Sequence, residues 1–383
     1  MVWIYGGGFQ IGEATRDMYS PDYFMSKDVV LVTIAYRLGP FGFLSLDDPA
    51  INVPGNAGIK DQIMALKWVQ ENISAFGGDP NNVTLFGESA GGASTHLCML
   101  SDSAKGLIHK GIVMSGSILC PWVLPPPNQW AFRLAKALGY KGEEKSADVY
   151  KFLHTASGAD IQKAVPLILT KEEKHNRILF GFGPVIEPYK SKDSILTEDP
   201  LEVLKTSWSN DIPLMIGGTS FEGLLFYPEV KRRKATLNEV GDCENLLPLD
   251  IKVERHSIDA KEMGLKIKKA YFGDEECRPE TMMKFLEVRA INNLRNEKKN
   301  DLKTRHYYGF RLKVIESFGI RFIVLYYIVS TMPLHRLMST VSILIRLMLM
   351  PYGIYCVIGK WVVSVMATTC VIYSVSFSLI AWP

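Results

Sequence analysis

The sequence predicts an α/β fold: a mostly parallel sheet with helices on both faces. Three observations predict it. Val83 to Phe86 runs into Gly87-Glu88-Ser89-Ala90-Gly91-Gly92 and then into a helix-capable run, Ala93 to Leu100. Met1 to Tyr5 is an apolar strand that passes directly into Gly6-Gly7-Gly8. Between them lie a second apolar run, Val29 to Tyr36, and an amphipathic stretch, so strand and helix alternate. Near-continuous apolar runs are what a parallel sheet covered on both faces requires.

Each element has its own local reason. The glycine triplet after the first strand lets the backbone come close to a ligand, although taken alone it also reads as an ordinary turn. Arg37-Leu38-Gly39-Pro40-Phe41-Gly42 ends the second strand, and Pro54-Gly55-Asn56 starts a helix. Ile59, Ile63, Leu66, Val69 and Ile73 recur at three- and four-residue steps and give one apolar stripe. Gly77-Gly78-Asp79-Pro80 stops that helix. Gly111 to Gly116 and Pro213 to Gly218 read as further strands. Residues 230–300 are charged and helix-rich in pattern, and are expected as solvated insertions, with Lys231 to Lys234 on a surface loop rather than in a polyanion site.

The chemistry concentrates at Ser89. A bare Gly-x-Ser-x-Gly is a weak pattern, but here a strand precedes it and a small-residue helix follows. A turn that tight lifts the serine hydroxyl above the sheet edge, where a base can reach it. The N–H groups of the following helix can then stabilise developing negative charge. Glu222 lies 133 residues further on, in a loop after a strand, where a carboxylate can orient a histidine and stabilise its charged form.

With these residues the chain resembles the type-B carboxylesterases, the family that includes the cholinesterases. The resemblance rests on Tyr5 to Phe9, Tyr36 to Phe43, Pro54 to Asn56, Asp61-Gln62, Phe76 to Pro80, Gly87 to Gly92 and Ser115 to Ser117, in order and at the right spacing. It continues through Gly183 to Pro188 and Gly217 to Gly223. The resemblance implies an α/β-hydrolase fold and hydrolysis of carboxylic esters, with small-molecule esters as substrates and no cofactor or metal. It implies Ser89 as nucleophile, Glu222 as triad acid, and the N–H groups of Gly7, Gly8 and Ala90 as the oxyanion hole. Trp122 matches the region that shapes the acyl pocket, beside an equal expectation that it packs in the core. The family's histidine, more than a hundred residues beyond the acid in a His-x-x-Asp/Glu setting, is not placed on any of the seven histidines. His306 and His335 stand in the right part of the chain, but their neighbours do not match. A cholinesterase-like binding or adhesion protein without catalysis is therefore the alternative to an esterase.

Composition divides the chain. Residues 1–300 carry 35 Lys/Arg and 38 Asp/Glu, whereas residues 301–383 carry 8 and 2. The net +3 averages two unlike regions and gives no reason to expect a nucleic-acid partner. A partial hydrolase domain is expected over 1–315 and an apolar, basic tail over 316–383. Within that tail, Trp361 to Pro383 has no charged side chain and the length to span a bilayer, while Phe322 to Met332 is too short. A membrane anchor and the product of a misjoined coding frame are the two readings of the tail. Met1 is expected to be an internal methionine, because chains seldom open on the middle strand of a sheet. Cytoplasmic and secreted locations both stay open. The six cysteines show no metal-ligand spacing. Cys98 is expected as a buried thiol, and a Cys243–Cys277 disulfide is left open.

Overall fold

The computed structural model describes residues 1–127, 129–170, 173, 180–219, 221–232, 243–247, 253–254, 256–276, 278–292, 322–324 and 375–376. Six strands run parallel: β1 (Val2–Ile4), β2 (Val32–Ile34), β3 (Thr84–Glu88), β4 (Lys110–Met114), β5 (Leu214–Thr219) and β6 (Phe322–Val324). Their spatial order is β2-β1-β3-β4-β5-β6. The register sets Val2 beside both Val32 and Leu85, Phe86 beside Ile112, and Met215 beside both Ile112 and Ile323. A short β7 (Val375–Ser376) joins β5 antiparallel at Gly218 and Thr219.

The chain leaves β1 toward one side to make β2, then returns to the other side to make β3. That reversal opens a crevice beyond the carboxyl ends of β1 and β3, where open α/β sheets bind ligands. The glycine triplet follows β1 and Ser89 follows β3, so the topology alone brings the two motifs to one crevice.

The helices follow from local sequence. After a short α1 (Gly39–Phe43), α2 (Ala57–Asn72) buries Ile59, Ile63, Leu66 and Val69, with Ile73 buried just beyond it. Gly77 then turns left-handed at φ 78° and ends the run. Asn56 begins α2 with φ 58°, but its side chain does not cap the helix. Its amide instead donates to the Val185 carbonyl (2.9 Å) and Glu187 Oε1 (3.0 Å), and its Oδ1 accepts from the Val185 N–H (2.9 Å). Helix α3 (Ala90–Leu100) is buried at every position, which is why it carries no charged face; Ser94, Thr95 and His96 are its polar residues.

Beyond β4 come α4 (Trp130–Ala137), α5 (Ser146–Thr155), α6 (Gly158–Ala164) and α7 (Pro200–Thr206). Ser157 and Asp199 cap the last two by accepting from Asp160 N–H (3.1 Å) and Leu201 N–H (2.8 Å). These elements share the main core with the sheet.

Residues 227–292 form α8 (Tyr227–Arg232), α9 (Ile258–Phe272) and α10 (Met282–Asn292). They are not merely solvated: Val230, Leu246, Phe272, Phe285, Leu286 and Val288 make a second buried cluster of their own. Lys231 and Arg232 close α8, so the first half of the basic run is helical rather than loop. Lys231 lies 5.4 Å from the Tyr227 ring centre. Arg233 and Lys234 lie outside the described residues, as does Cys277. Cys243 is a free thiol, and Cys98 is the buried thiol expected of it.

The stretch set apart as a tail contributes β6 and β7 to the sheet. Val375–Ser376 falls inside the expected membrane span Trp361 to Pro383 and is paired as strand, because β5 offers Gly218 and Thr219 a free hydrogen-bonding edge there. The rest of that span lies outside the described residues. No helix among the described residues is long and apolar enough to cross a membrane.

Candidate functional site

Ser89 sits at the exit of β3 with φ 56° and ψ −122°, a left-handed conformation that costs a non-glycine residue roughly 1–3 kcal/mol. The surroundings hold it there. Its N–H donates to the Met114 carbonyl (2.8 Å), and its own carbonyl accepts from the Ala93 N–H (2.9 Å). Helix α3 starts at Ala90 and presses directly on the sheet: a β-carbon on Gly91 would fall 2.0 Å from the Ile4 carbonyl oxygen. Ala90 is therefore at a helix start, where N–H groups have no intrahelical acceptor and carry the positive end of the helix dipole.

The glycine loop lies against this turn. A β-carbon on Gly6 would stand 3.0 Å from the Ser89 β-carbon. Gly7 has φ 110°, and Gly8 and Phe9 follow in left-handed conformations at φ 61° and 63°. Phe9 is held in that posture by burial, by the Phe43 ring 5.2 Å away, and by Gly39, whose N–H donates to the Phe9 carbonyl (2.7 Å). Trp122 stands 6.3 Å from the Phe9 ring and is part-buried against the main core.

Phe180 escaped the sequence reading. Its ring covers Gly8 so closely that a β-carbon there would meet the ring at 2.3 Å. The available signal was position: Phe180-Gly181-Phe182 immediately precedes the Gly183 to Pro188 match.

Glu222 opens the single helical turn Glu222–Phe226 directly after β5. Its Oε1 accepts the Thr219 N–H at 2.6 Å, and the Ser115 hydroxyl also reaches it. Burial raises its proton affinity above the usual carboxylate range, and these two donors oppose that rise. Ser115 follows β4, beside the Met114 carbonyl that binds Ser89, so Ser89 and Glu222 face the same strand end. Glu88, also passed over from sequence, is pushed up to about 7, first by burial and then by the charge of Glu222. Solvent touches one side of the Glu88 side chain, while the protein encloses the rest. Cys120 lies buried nearby and accepts the Ser117 N–H at 3.3 Å; burial pushes its thiol up to about 11, which keeps it unreactive.

None of the described histidines is bonded to Ser89 or Glu222 in the structure. His96 is buried on α3, where burial lowers it to about 4 and keeps it neutral. His109 Nδ1 accepts the Val83 N–H at 3.2 Å, and His154 lies edge-on to Tyr150. His256 does precede Asp259 by three positions, a spacing the sequence reading passed over. It follows Glu222 by only 34 residues, its side chain is exposed, and its Nδ1 lies 3.6 Å from Glu244. His175, His306 and His335 lie outside the described residues. Among the described residues no group of three or more His, Cys, Asp or Glu side chains is placed to hold a metal ion.

The model of the carboxylesterase family matches residues 1–297. Esterase B1 of Culex pipiens is 40% identical over 275 residues, which is 72% of this chain and 50% of that protein. Juvenile hormone esterase of Tribolium castaneum is 42% identical over 258 residues, 63% of this chain and 41% of that one. The crystal structure of juvenile hormone esterase from Manduca sexta, with OTFP covalently attached, superimposes with a TM-score of 0.65 at 30% identity. That superposition covers 76% of this chain and 54% of the other. The chain thus spans about half the length of the curated relatives it matches.

Proposed function

The chain belongs to the carboxylesterase family, and from that premise we propose that it is a serine hydrolase cleaving carboxylic esters through an acyl-enzyme on Ser89. The observation that carries the reading is the strained Ser89 turn, held between Met114 and α3, with the glycine loop in van der Waals contact. Backbone strain on a serine at a strand-to-helix turn is retained where a side chain must be presented.

In this reading the Ser89 oxygen attacks the ester carbonyl, and the N–H groups of Gly7, Gly8 and Ala90 take the charge on the tetrahedral oxygen. The alcohol leaves, and water releases the acid from the acyl-enzyme. Glu222 is the acid that orients a histidine and stabilises its cation. Phe180 over Gly8 and the part-buried Trp122 favour an apolar acyl group.

A non-catalytic, cholinesterase-like binding protein is the second reading. It draws on the four described histidines, none of which stands in the family's setting more than a hundred residues beyond Glu222. A serine without its base keeps only a residue of its reactivity, lower by roughly 10⁴- to 10⁶-fold.

A fluorophosphonate probe separates the two. Covalent labelling of the 383-residue chain that disappears in Ser89→Ala supports the hydrolase. Folded protein that takes no label supports the binding protein.

A further inference from the structure

Gln10 closes the glycine loop, and its side chain does two things at once. Its Nε2 donates to the Gly8 carbonyl at 3.3 Å and also to the carbonyl of Phe182, 172 residues away in sequence. A primary amide has two N–H donors, so both are used.

The loop shows why this matters. The Gly7 carbonyl accepts from Gln10 N–H (3.0 Å) and Ile11 N–H (3.1 Å), so it points into the turn. In a trans peptide the N–H lies opposite the carbonyl, so the Gly8 N–H points out of the turn. The Phe9 carbonyl is held by Gly39. Of the Gly7, Gly8 and Phe9 carbonyls, it is that of Gly8, between two consecutive left-handed residues, that a side chain holds. The same side chain fastens the Phe180 to Phe182 segment, whose Phe180 ring rests on Gly8.

We propose that Gln10 is a positioning residue: it straps the oxyanion loop to the Phe180–Phe182 wall and so fixes the N–H groups of Gly7 and Gly8 and the aromatic lid above them as one unit. This deepens the Ser89 hydrolase reading and rests on it. Gln10 touches no reacting atom in the proposed chemistry; it acts through the loop.

The test uses the full chain and a fluorophosphonate probe, with labelling resolved into a maximal rate, kinact, and a half-saturating concentration, KI. Gln10→Glu keeps the shape but, when ionised, donates nothing; Gln10→Met keeps the length without polar atoms. Both are expected to lower kinact by about 10- to 100-fold, the scale of a displacement of about 1 Å at a reacting centre. KI is expected to stay within about threefold, with the labelled fraction and the thermal midpoint near the parent values. Unchanged kinact overturns the strap. So does a loss seen only in KI or in the labelled fraction, since that is the mark of a merely structural contact. A folded parent chain that takes no label fails earlier and differently: it overturns the hydrolase reading, and with it the catalytic meaning of the strap.

Discussion

At Gly91 one hydrogen atom decides whether the Ser89 turn exists. The Ile4 and Tyr5 carbonyl oxygens would lie 2.0 and 2.9 Å from an added β-carbon, and both belong to the backbone at the end of β1. Neither can step aside as a side chain would, so Gly91→Ala is expected to cost about 1–3 kcal/mol and to abolish probe labelling. An unaltered denaturation midpoint would contradict that. Glu88 gives a prediction in pH. Its folded pKa, about 7, stands above its ordinary 4.5, so between these values the folded state holds the extra proton. This contribution is therefore present in acid and lost as pH rises from about 4.5 to 7. Glu88→Gln is expected to raise the thermal midpoint at pH 8 and to leave it almost unchanged at pH 4.5; a gain of equal size at both values would refute the coupling. Ser89, Glu222 and the glycines were legible in the sequence because each stands next to a strand end and takes its meaning from spacing. Glu88 and Phe180 were not, because their significance comes from what the fold sets beside them: a second carboxylate in one case, the α-carbon of Gly8 in the other.

Between elements, the most specific polar tie is Arg133 of α4 to Glu173. The guanidinium makes two bonds to the carboxylate, at 2.7 and 2.8 Å, while stacking 4.8 Å from the Trp130 ring centre. The paired bond to Arg133 holds Glu173 down to about 2, with the Thr170 N–H adding to it. A depressed carboxylate contributes stability above its unfolded pKa, and that contribution is lost as pH falls from about 4.5 toward 2. Arg133→Leu is expected to cost about 1–2 kcal/mol at pH 7, after allowance for partial exposure. Urea titrations should show that gap narrowing as pH falls below about 4.5 and closing only near pH 2. A gap independent of pH would assign the cost to lost packing on Trp130 instead. Elements such as α2 were readable from periodicity: Ile59, Ile63, Leu66 and Val69 are buried along it, and Ile73 just beyond. The role of Asn56 was not: the residue marks the helix start in sequence, yet its amide spends its bonds on Val185 and Glu187, 129 and 131 positions away. The continuous strand expected over Val29 to Tyr36 shortens to Val32–Ile34, since only β1 pairs with it among the described residues.

On the scale of the molecule, the two hydrophobic clusters divide the proposed triad between them. Ser89 and the glycine loop are built on the main core, whereas the turn carrying Glu222 is seated on α10. That seat is close: a β-carbon on Gly223 would lie 1.9 Å from the Leu286 carbonyl oxygen. Among the described residues, six buried ones make the second cluster against several dozen in the first, so it has far less apolar area to oppose its own loss of conformational entropy. Regions with few buried apolar contacts open first, below the free energy of global unfolding. Leu286 is fully buried in the small cluster, and its replacement by alanine is expected to cost about 2–5 kcal/mol locally. Amide hydrogen exchange on Leu286→Ala should then quicken across residues 258–288 and leave residues 57–114 at the parent rate. Probe labelling of Ser89 should slow as Glu222 loses its seat, while the Ser89 turn itself stays formed. If instead both regions quicken together, the chain unfolds as one cooperative unit and the acid is as firmly held as the nucleophile. The first outcome would make the placement of Glu222 the step most easily lost, because it depends on the smaller of two cores rather than on the sheet that carries everything else.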